Sequence, residues 1–171
     1  MLLDDYLKDK FVLAGTGSRS FAQLPLDDQS RLIGQLKEYF FIGLEKYPNL
    51  VIMSGGAIGW DAAVARAAHD TKIPYVMCIP NKGYGDYYWG RAGKIDNFYR
   101  MLSYASFTEY TMEEVHNHNG LYLDGVHSNF HRNTRMVELA NGFVVYKPTS
   151  SGTRHCVNQI RKKGLPWKEF S

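Results

Sequence analysis

Three short stretches combine glycines with hydroxyls, and each follows a short apolar run: Gly15-Thr16-Gly17-Ser18-Arg19 after FVLA, Ser54-Gly55-Gly56-Ala57-Ile58-Gly59-Trp60-Asp61 after LVIM, and Ser150-Ser151-Gly152-Thr153 after FVVYK. Glycines admit close approach of a ligand to the backbone. Amides at a helix start attract anions, and the hydroxyls of Thr16, Ser18, Ser54, Ser150, Ser151 and Thr153 add donors. Arg19 supplies a planar fork suited to phosphate or carboxylate. A fourth stretch, His131-Arg132-Asn133-Thr134-Arg135-Met136, sits at an expected helix start. Arg132 and Arg135 share a helical face there. Two cations near a helix N-terminus oppose its dipole unless an anion is close by.

Asp61 opens two readings. An acid at a helix start caps free amides and suits the dipole. The functional alternative is a hydrogen bond to a sugar hydroxyl, or general acid–base work. A phosphate would repel the carboxylate, so ribose is the better partner in that case.

Several other chemistries are excluded or disfavoured. No Gly-Lys-Ser/Thr is present, so the glycine stretches do not form a P-loop. GTGSRS lacks the third glycine of the dinucleotide fingerprint. His116, His118, His127, His131, Asp124, Glu113 and Glu114 cluster in the sequence, but their spacing matches no metal motif, and no metal or cofactor is expected. His155 lies beside the third loop and reads equally as a ligand contact or a surface helix position. Cys78 and Cys156 form no Cys-x-x-Cys pair, and Cys78 in YVMCIP reads as a buried small hydrophobe. The net charge is only +3, and the basic cluster Arg154, Arg161, Lys162, Lys163 and Lys168 reads as a solvated helix end, which argues against a nucleic-acid partner. MLLDDYLKDK lacks the basic start of a signal peptide, and no apolar run approaches membrane-spanning length, so a cytoplasmic protein without membrane contact is expected.

The elements that must position these groups alternate. Phe11–Ala14, Leu50–Met53, Tyr75–Ile79, Phe107–Tyr110 and Phe143–Lys147 are β-rich, and three of them are nearly continuous apolar runs, as in strands covered on both faces. Helical patterns fall at Asp27–Lys46, Trp60–Thr71, Asp96–Ser106, Ser128–Ala140 and Thr153–Lys163, the last stopped by Gly164. A short final strand fits Pro166–Phe170. The alternation predicts an α/β fold with a single doubly wound, mainly parallel sheet and helices on both faces. At 171 residues the chain suits one Rossmann-like domain, residues 1–171. Ligands of such sheets bind outside the carboxyl ends of the strands, where all three glycine loops fall. An aromatic-rich insertion over about 83–127 breaks the rhythm. Its Tyr84, Tyr87, Tyr88, Trp89 and Tyr99 suit either cover for a sheet edge or subunit interface, or a ligand lid.

In this order the four stretches resemble the SLOG superfamily, the Rossmann-like group that holds the Lonely Guy phosphoribohydrolases and DNA-processing protein A. The matching pieces are Gly15–Arg19, Ser54–Asp61, Arg132–Met136 and Ser151–Thr153, which together span most of the chain. The YspA/YpsA-type branch is the most similar, since it pairs the Ser-Gly-Gly-Ala loop with Arg-Asn-x-x-Met. The resemblance implies a nucleotide-derived ligand, of ADP-ribose or nucleoside monophosphate type, bound by a sensor, sponge or weak enzyme. It implies a site built from Gly15, Thr16, Gly17, Ser18, Arg19, Ser54, Gly55, Gly56, Ala57, Gly59, Asp61, Arg132, Asn133, Ser150, Ser151, Gly152 and Thr153. Asp61 and Arg132 would carry any catalysis. Two alternatives stay open: an N-glycosidase of nucleoside monophosphates, and a single-stranded nucleic-acid-binding module. The Lonely Guy loop carries a catalytic Glu where this chain has Cys156, which weakens the first. The DNA-processing proteins carry additional domains, and this chain has room for the shared core only, which weakens the second. Members commonly self-associate, so a homo-oligomer is expected.

Overall fold

The computed structural model describes residues 2–112 and 125–171. The chain runs α1 (Leu3–Leu7), β1 (Phe11–Gly17), a 3₁₀ turn (Arg19–Gln23), α2 (Leu26–Lys46), β2 (Leu50–Ser54), α3 (Trp60–Asp70) and β3 (Tyr75–Asn81). A π-helical turn (Gly85–Trp89), α4 (Ile95–Tyr104), β4 (Phe107–Met112), α5 (Gly125–Leu139), β5 (Gly142–Tyr146), α6 (Ser151–Lys163) and β6 (Trp167–Phe170) follow.

The six strands form one sheet in the order β4-β3-β2-β1-β5-β6, and every neighbouring pair is parallel. The period-2 geometry of a strand sends alternate apolar residues into two cores. Leu13, Ile52, Met77 and Val144 join the core under α2, α3 and α4. Val12, Val51, Met53, Val76 and Val145 join the core under α1, α5 and α6. Both cores are apolar, which is why these strands read as unbroken hydrophobic runs. The expected doubly wound sheet is present, and it is parallel throughout.

Helix α2 buries Leu32, Ile33, Leu36 and Phe40, most of the stripe its periodicity marks. Trp60 opens α3 fully buried. Its Nε1 donates to the Val144 carbonyl at 3.2 Å, and its ring lies 5.4 Å from Tyr146 and 5.5 Å from Phe21. A single indole therefore locks α3 to β5 across the sheet.

The strand order reverses between β1 and β5. From β1 the chain steps outward through β2, β3 and β4, then returns to the other side of β1 for β5, pairing Leu13 with Gly142. The carboxyl ends of β1 and β5 thus splay their following loops apart, which is where ligands of open α/β sheets bind.

Several boundaries differ from expectation. Helix α5 begins at Gly125, so Arg132 and Arg135 lie mid-helix and the helix dipole does not bear on them as proposed. Helix α6 begins at Ser151, earlier than its apolar pattern shows, because its first turn is polar. The aromatic segment opens as the π turn, and Tyr84 and Trp89 are buried against Phe98 of α4. Glu113, Glu114, His116, His118 and Asp124 lie outside the described residues. Among the described residues no helix is long and apolar enough to cross a membrane.

Both cysteines are buried in the α1/α5/α6 core, and that burial pushes each thiol up to about 12. Neither Cys78 nor Cys156 should react with Ellman's reagent at pH 8 in the native protein. Both should react once guanidinium unfolds it; native labelling would show one of them accessible.

Candidate functional site

The loops after β1 and β5, the start of α3 and the middle of α5 enclose a cleft of ≈ 390 Å³ at the strand-order switch. Its walls are Thr16–Arg19, Ala57 and Asp61, Asn129, Phe130, Arg132 and Asn133, and Ser150–Thr153. Four stretches distant in sequence therefore converge on one space.

Asp61 and Arg132 form its floor, only 5 % and 7 % exposed. Asp61 Oδ2 accepts the Ala57 amide at 3.2 Å. Burial raises its pKa above the usual carboxylate range, against the opposing pull of the Arg132 and Arg19 guanidiniums. Arg132 donates through Nη1 to the Gly55 carbonyl and through Nε to Asn133 Oδ1 at 2.9 Å. Nη2 makes no hydrogen bond to another described residue, and it belongs to a side chain that lines the cleft. Asn133 Nδ2 in turn holds the Gly152 carbonyl at 3.3 Å, tying α5 to the first turn of α6.

Helix α6 supplies the facing wall. Its N-cap, Ser150, makes no side-chain cap, and the first-turn amides have no intrahelical acceptor. They point at the cleft with the positive end of the helix dipole behind them. Arg19, exposed at the mouth, places its Cζ 4.4 Å over the Tyr88 ring.

Of the expected site residues, Thr16, Gly17, Ser18, Arg19, Ala57, Asp61, Arg132, Asn133, Ser150, Ser151, Gly152 and Thr153 line this cleft. Gly15, Ser54, Gly55, Gly56 and Gly59 do not. Ser54 is turned inward: its hydroxyl donates to the Asp61 carbonyl at 2.7 Å and accepts the Gly56 amide at 3.2 Å. The glycines of this loop make room for the protein itself. A Cβ on Gly55 would lie 2.6 Å from Arg132 Nη1 and 2.8 Å from Asp61 Oδ2. The absent side chain is therefore what lets both charged groups pack against one peptide.

Arg135 leaves the site. It does not line the cleft, and meets Asp4 of α1 and Glu109 of β4 at 2.5 and 3.1 Å. The anion that offsets it is thus supplied from within the chain. Cys156, at the position where the resemblance places a carboxylate, is buried outside the cleft and its raised pKa keeps it protonated. Asn129 and Phe130 were not anticipated as wall residues. The signal was present in their spacing, since they precede Arg132 and Asn133 by one helical turn. Phe130 stacks on His155 with ring centroids 3.9 Å apart, and burial lowers the His155 pKa. Asn129 Oδ1 is buried without a hydrogen-bond partner among the described residues.

A larger groove of ≈ 610 Å³ lies on the other face of the sheet, between α3 and α4. Its cations Arg66, Lys94 and Arg100 are exposed, and Arg66 is paired with Asp70 at 3.7 Å. Size favours that groove, but convergence of buried polar groups favours the cleft, and convergence is what marks a small-molecule site. Among the described residues no group of three or more His, Cys, Asp and Glu side chains could hold a metal ion.

Comparison with solved structures places this fold among known ones. DNA processing protein A from Streptococcus pneumoniae superimposes with a TM-score of 0.64 at 22% identity, over 96% of this chain and 51% of that one. The chain thus spans about half the length of that protein. DNA processing protein A from Helicobacter pylori, described for its single-stranded DNA binding mode, gives 0.63 at 18% identity over 96% and 67%. The structural-genomics target TM1055 gives 0.55 at 14% identity over 92% and 72%. The likeness shows a shared Rossmann-like fold, the one the motif resemblance implied. No family model and no curated protein matches the chain.

Two glycine substitutions test the geometry. Gly55→Ala should destabilise the protein by about 1–3 kcal/mol in urea titration, the usual cost of overpacking. Gly152→Ala, whose Cβ would meet nothing within 4 Å, should leave stability within about 0.5 kcal/mol. Equal effects would contradict the described packing.

Proposed function

We propose that the cleft binds a nucleotide or nucleotide-derived ligand, of nucleoside monophosphate or ADP-ribose type. One observation carries this reading: Arg19, Arg132 and the α6 N-terminus face the same space as a single buried carboxylate, at the switch point of the sheet. Three electropositive groups exceed what Asp61 neutralises, so the cleft favours an anion. A phosphate suits the α6 amides and the guanidiniums. Asp61 sits deeper and suits a ribose hydroxyl, which can donate to it. Phe130 offers an aromatic face at the rim. The volume falls within the range of about 300–1,000 Å³ usual for small-molecule sites.

A second reading is cleavage of the N-glycosidic bond of the same ligand. The raised pKa of Asp61 favours it, because a general acid must hold its proton near working pH. Asp61 is the one carboxylate among the described residues that line the cleft, and Arg132 would steady the phosphate. Incubation with a panel of nucleoside monophosphates, followed by chromatography, separates the readings. Release of free base supports cleavage, and intact nucleotides leave binding alone.

Nucleic acid gains weight from the Helicobacter pylori protein and loses it from the basic cluster. Lys163 Nζ caps the Val137 and Glu138 carbonyls at 2.8 and 3.0 Å, Arg154 bonds the Thr149 carbonyl, and Arg161 lies over Trp167. These cations serve helix ends and packing. We therefore favour a free nucleotide over a strand.

Arg132→Ala should weaken binding of the preferred nucleotide by about 1.5–3 kcal/mol in calorimetry, the scale of a charge-assisted hydrogen bond. Unchanged affinity would remove Arg132 from the site. Self-association is part of the same proposal, supported by exposed Leu26, Phe41 and Ile42 on α2. Light scattering should give a mass above 19.5 kDa, and a monomeric mass would end that part.

A further inference from the structure

The π-helical turn is an uncommon element, and such turns often mark functional sites. Its aromatic residues grip the loop that carries Asp61. Trp89 Nε1 donates to the Gly56 carbonyl at 2.8 Å, and Tyr88 Oη accepts the Ile58 amide at 3.2 Å. Tyr84 stacks on Tyr88 with centroids 4.6 Å apart. Tyr88 has a second contact, with the Arg19 guanidinium 4.4 Å above its ring. Tyr88 is half-buried and does not line the cleft, whereas Arg19 does.

Among the described residues Arg19 has no carboxylate partner, and no hydrogen bond to them holds its guanidinium. An exposed arginine of this kind would ordinarily sample many rotamers, and ordering it on a ligand would cost entropy. Two contacts limit that freedom. The Arg19 backbone abuts Gly59, where a Cβ would lie 2.9 Å from the Arg19 carbonyl oxygen. The far end of the side chain rests on Tyr88.

We infer that Tyr88 is a positioning residue: its ring holds the Arg19 guanidinium at the mouth of the cleft, ready for an anionic group of the ligand, while its hydroxyl fixes the loop beneath. The inference rests on the nucleotide-binding reading of the cleft for its purpose, but not for its geometry. The two halves of Tyr88 act separately. The hydroxyl bonds backbone and could be lost with some stability. The ring carries the cation and any aromatic ring can replace it. Tyr88→Phe should therefore keep Arg19 in place, and Tyr88→Leu should release it.

Two measurements test this. In the free protein, NMR of the arginine Nε–H groups should show the Arg19 signal shifted upfield by the ring, with a high order parameter. Tyr88→Phe should retain both features and Tyr88→Leu should lose both. Calorimetry with adenosine 5′-monophosphate as probe should show Tyr88→Leu weakening binding about two- to fivefold, Tyr88→Phe restoring it, and no further loss when Tyr88→Leu is added to Arg19→Ala. An unchanged Arg19 shift and order parameter in Tyr88→Leu would overturn the inference. So would an equal loss of affinity in both arginine backgrounds, since Tyr88 would then act through the fold alone. If the wild-type protein binds no nucleotide from the panel above, the functional reading falls, while the NMR measurement still decides whether Tyr88 holds Arg19.

Discussion

Asp61 and Arg132 are both buried, and each charge would be costly to keep from water without the other and its hydrogen bonds. Their meeting place is the Gly55 peptide, with a guanidinium nitrogen on its carbonyl and a carboxylate oxygen close by. This junction joins the end of β2, the first turn of α3 and the middle of α5. The rest of the cleft hangs from it. Asn133 extends the connection to α6, Ser54 braces the loop from inside, and Trp89 braces it from the π turn. A substitution that moves either charge thus disturbs three elements at once.

Glycine-rich loops invite the idea that a ligand fills the space a side chain would take. Here the cleft-lining and the packing roles are divided. Gly152 faces open space at the cleft, while Gly55 is crowded by Asp61 and Arg132. The small residues of the second loop build a dense floor, and the open wall comes from the α6 turn. The cleft is thus lined by the α6 dipole and by an Arg132 guanidinium already held by two hydrogen bonds, and groups held in advance need little ordering.

Much of this was legible in the chain. Apolar runs placed the central strands, since a strand covered on both faces shows its burial locally, while the edge strands β4 and β6 are only partly buried and carry less of that signal. The order of the small-residue loops placed them at one end of the sheet, and Arg132 stood out by residue type. What stayed hidden depended on distant partners. The same helix turn holds Arg132 and Arg135, and nothing local tells them apart. Among the described residues, Asp4, far away in sequence, and Glu109 on an edge strand draw Arg135 away from the cleft. Asn129 and Phe130 lie within the expected helix Ser128–Ala140, but a neutral amide and a phenyl ring carry no local mark that sets them at a site. Tyr88 read as one aromatic among many, and its partner Arg19 is brought near only by the π turn.

The return of the chain from β4 to β5 has a consequence for biosynthesis. β1 is made early and can pair with β2 as soon as that strand leaves the ribosome. Its other edge has no partner until β5, paired from Leu13 to Gly142 onward, has been translated. Until then the nascent sheet exposes an apolar edge, the kind of surface that chaperones shield. The cleft lies on that same seam, and α6 follows β5. The cleft is therefore closed only once β5 and the start of α6 have been made, and a chain released before them would carry most of the sheet without the α6 wall.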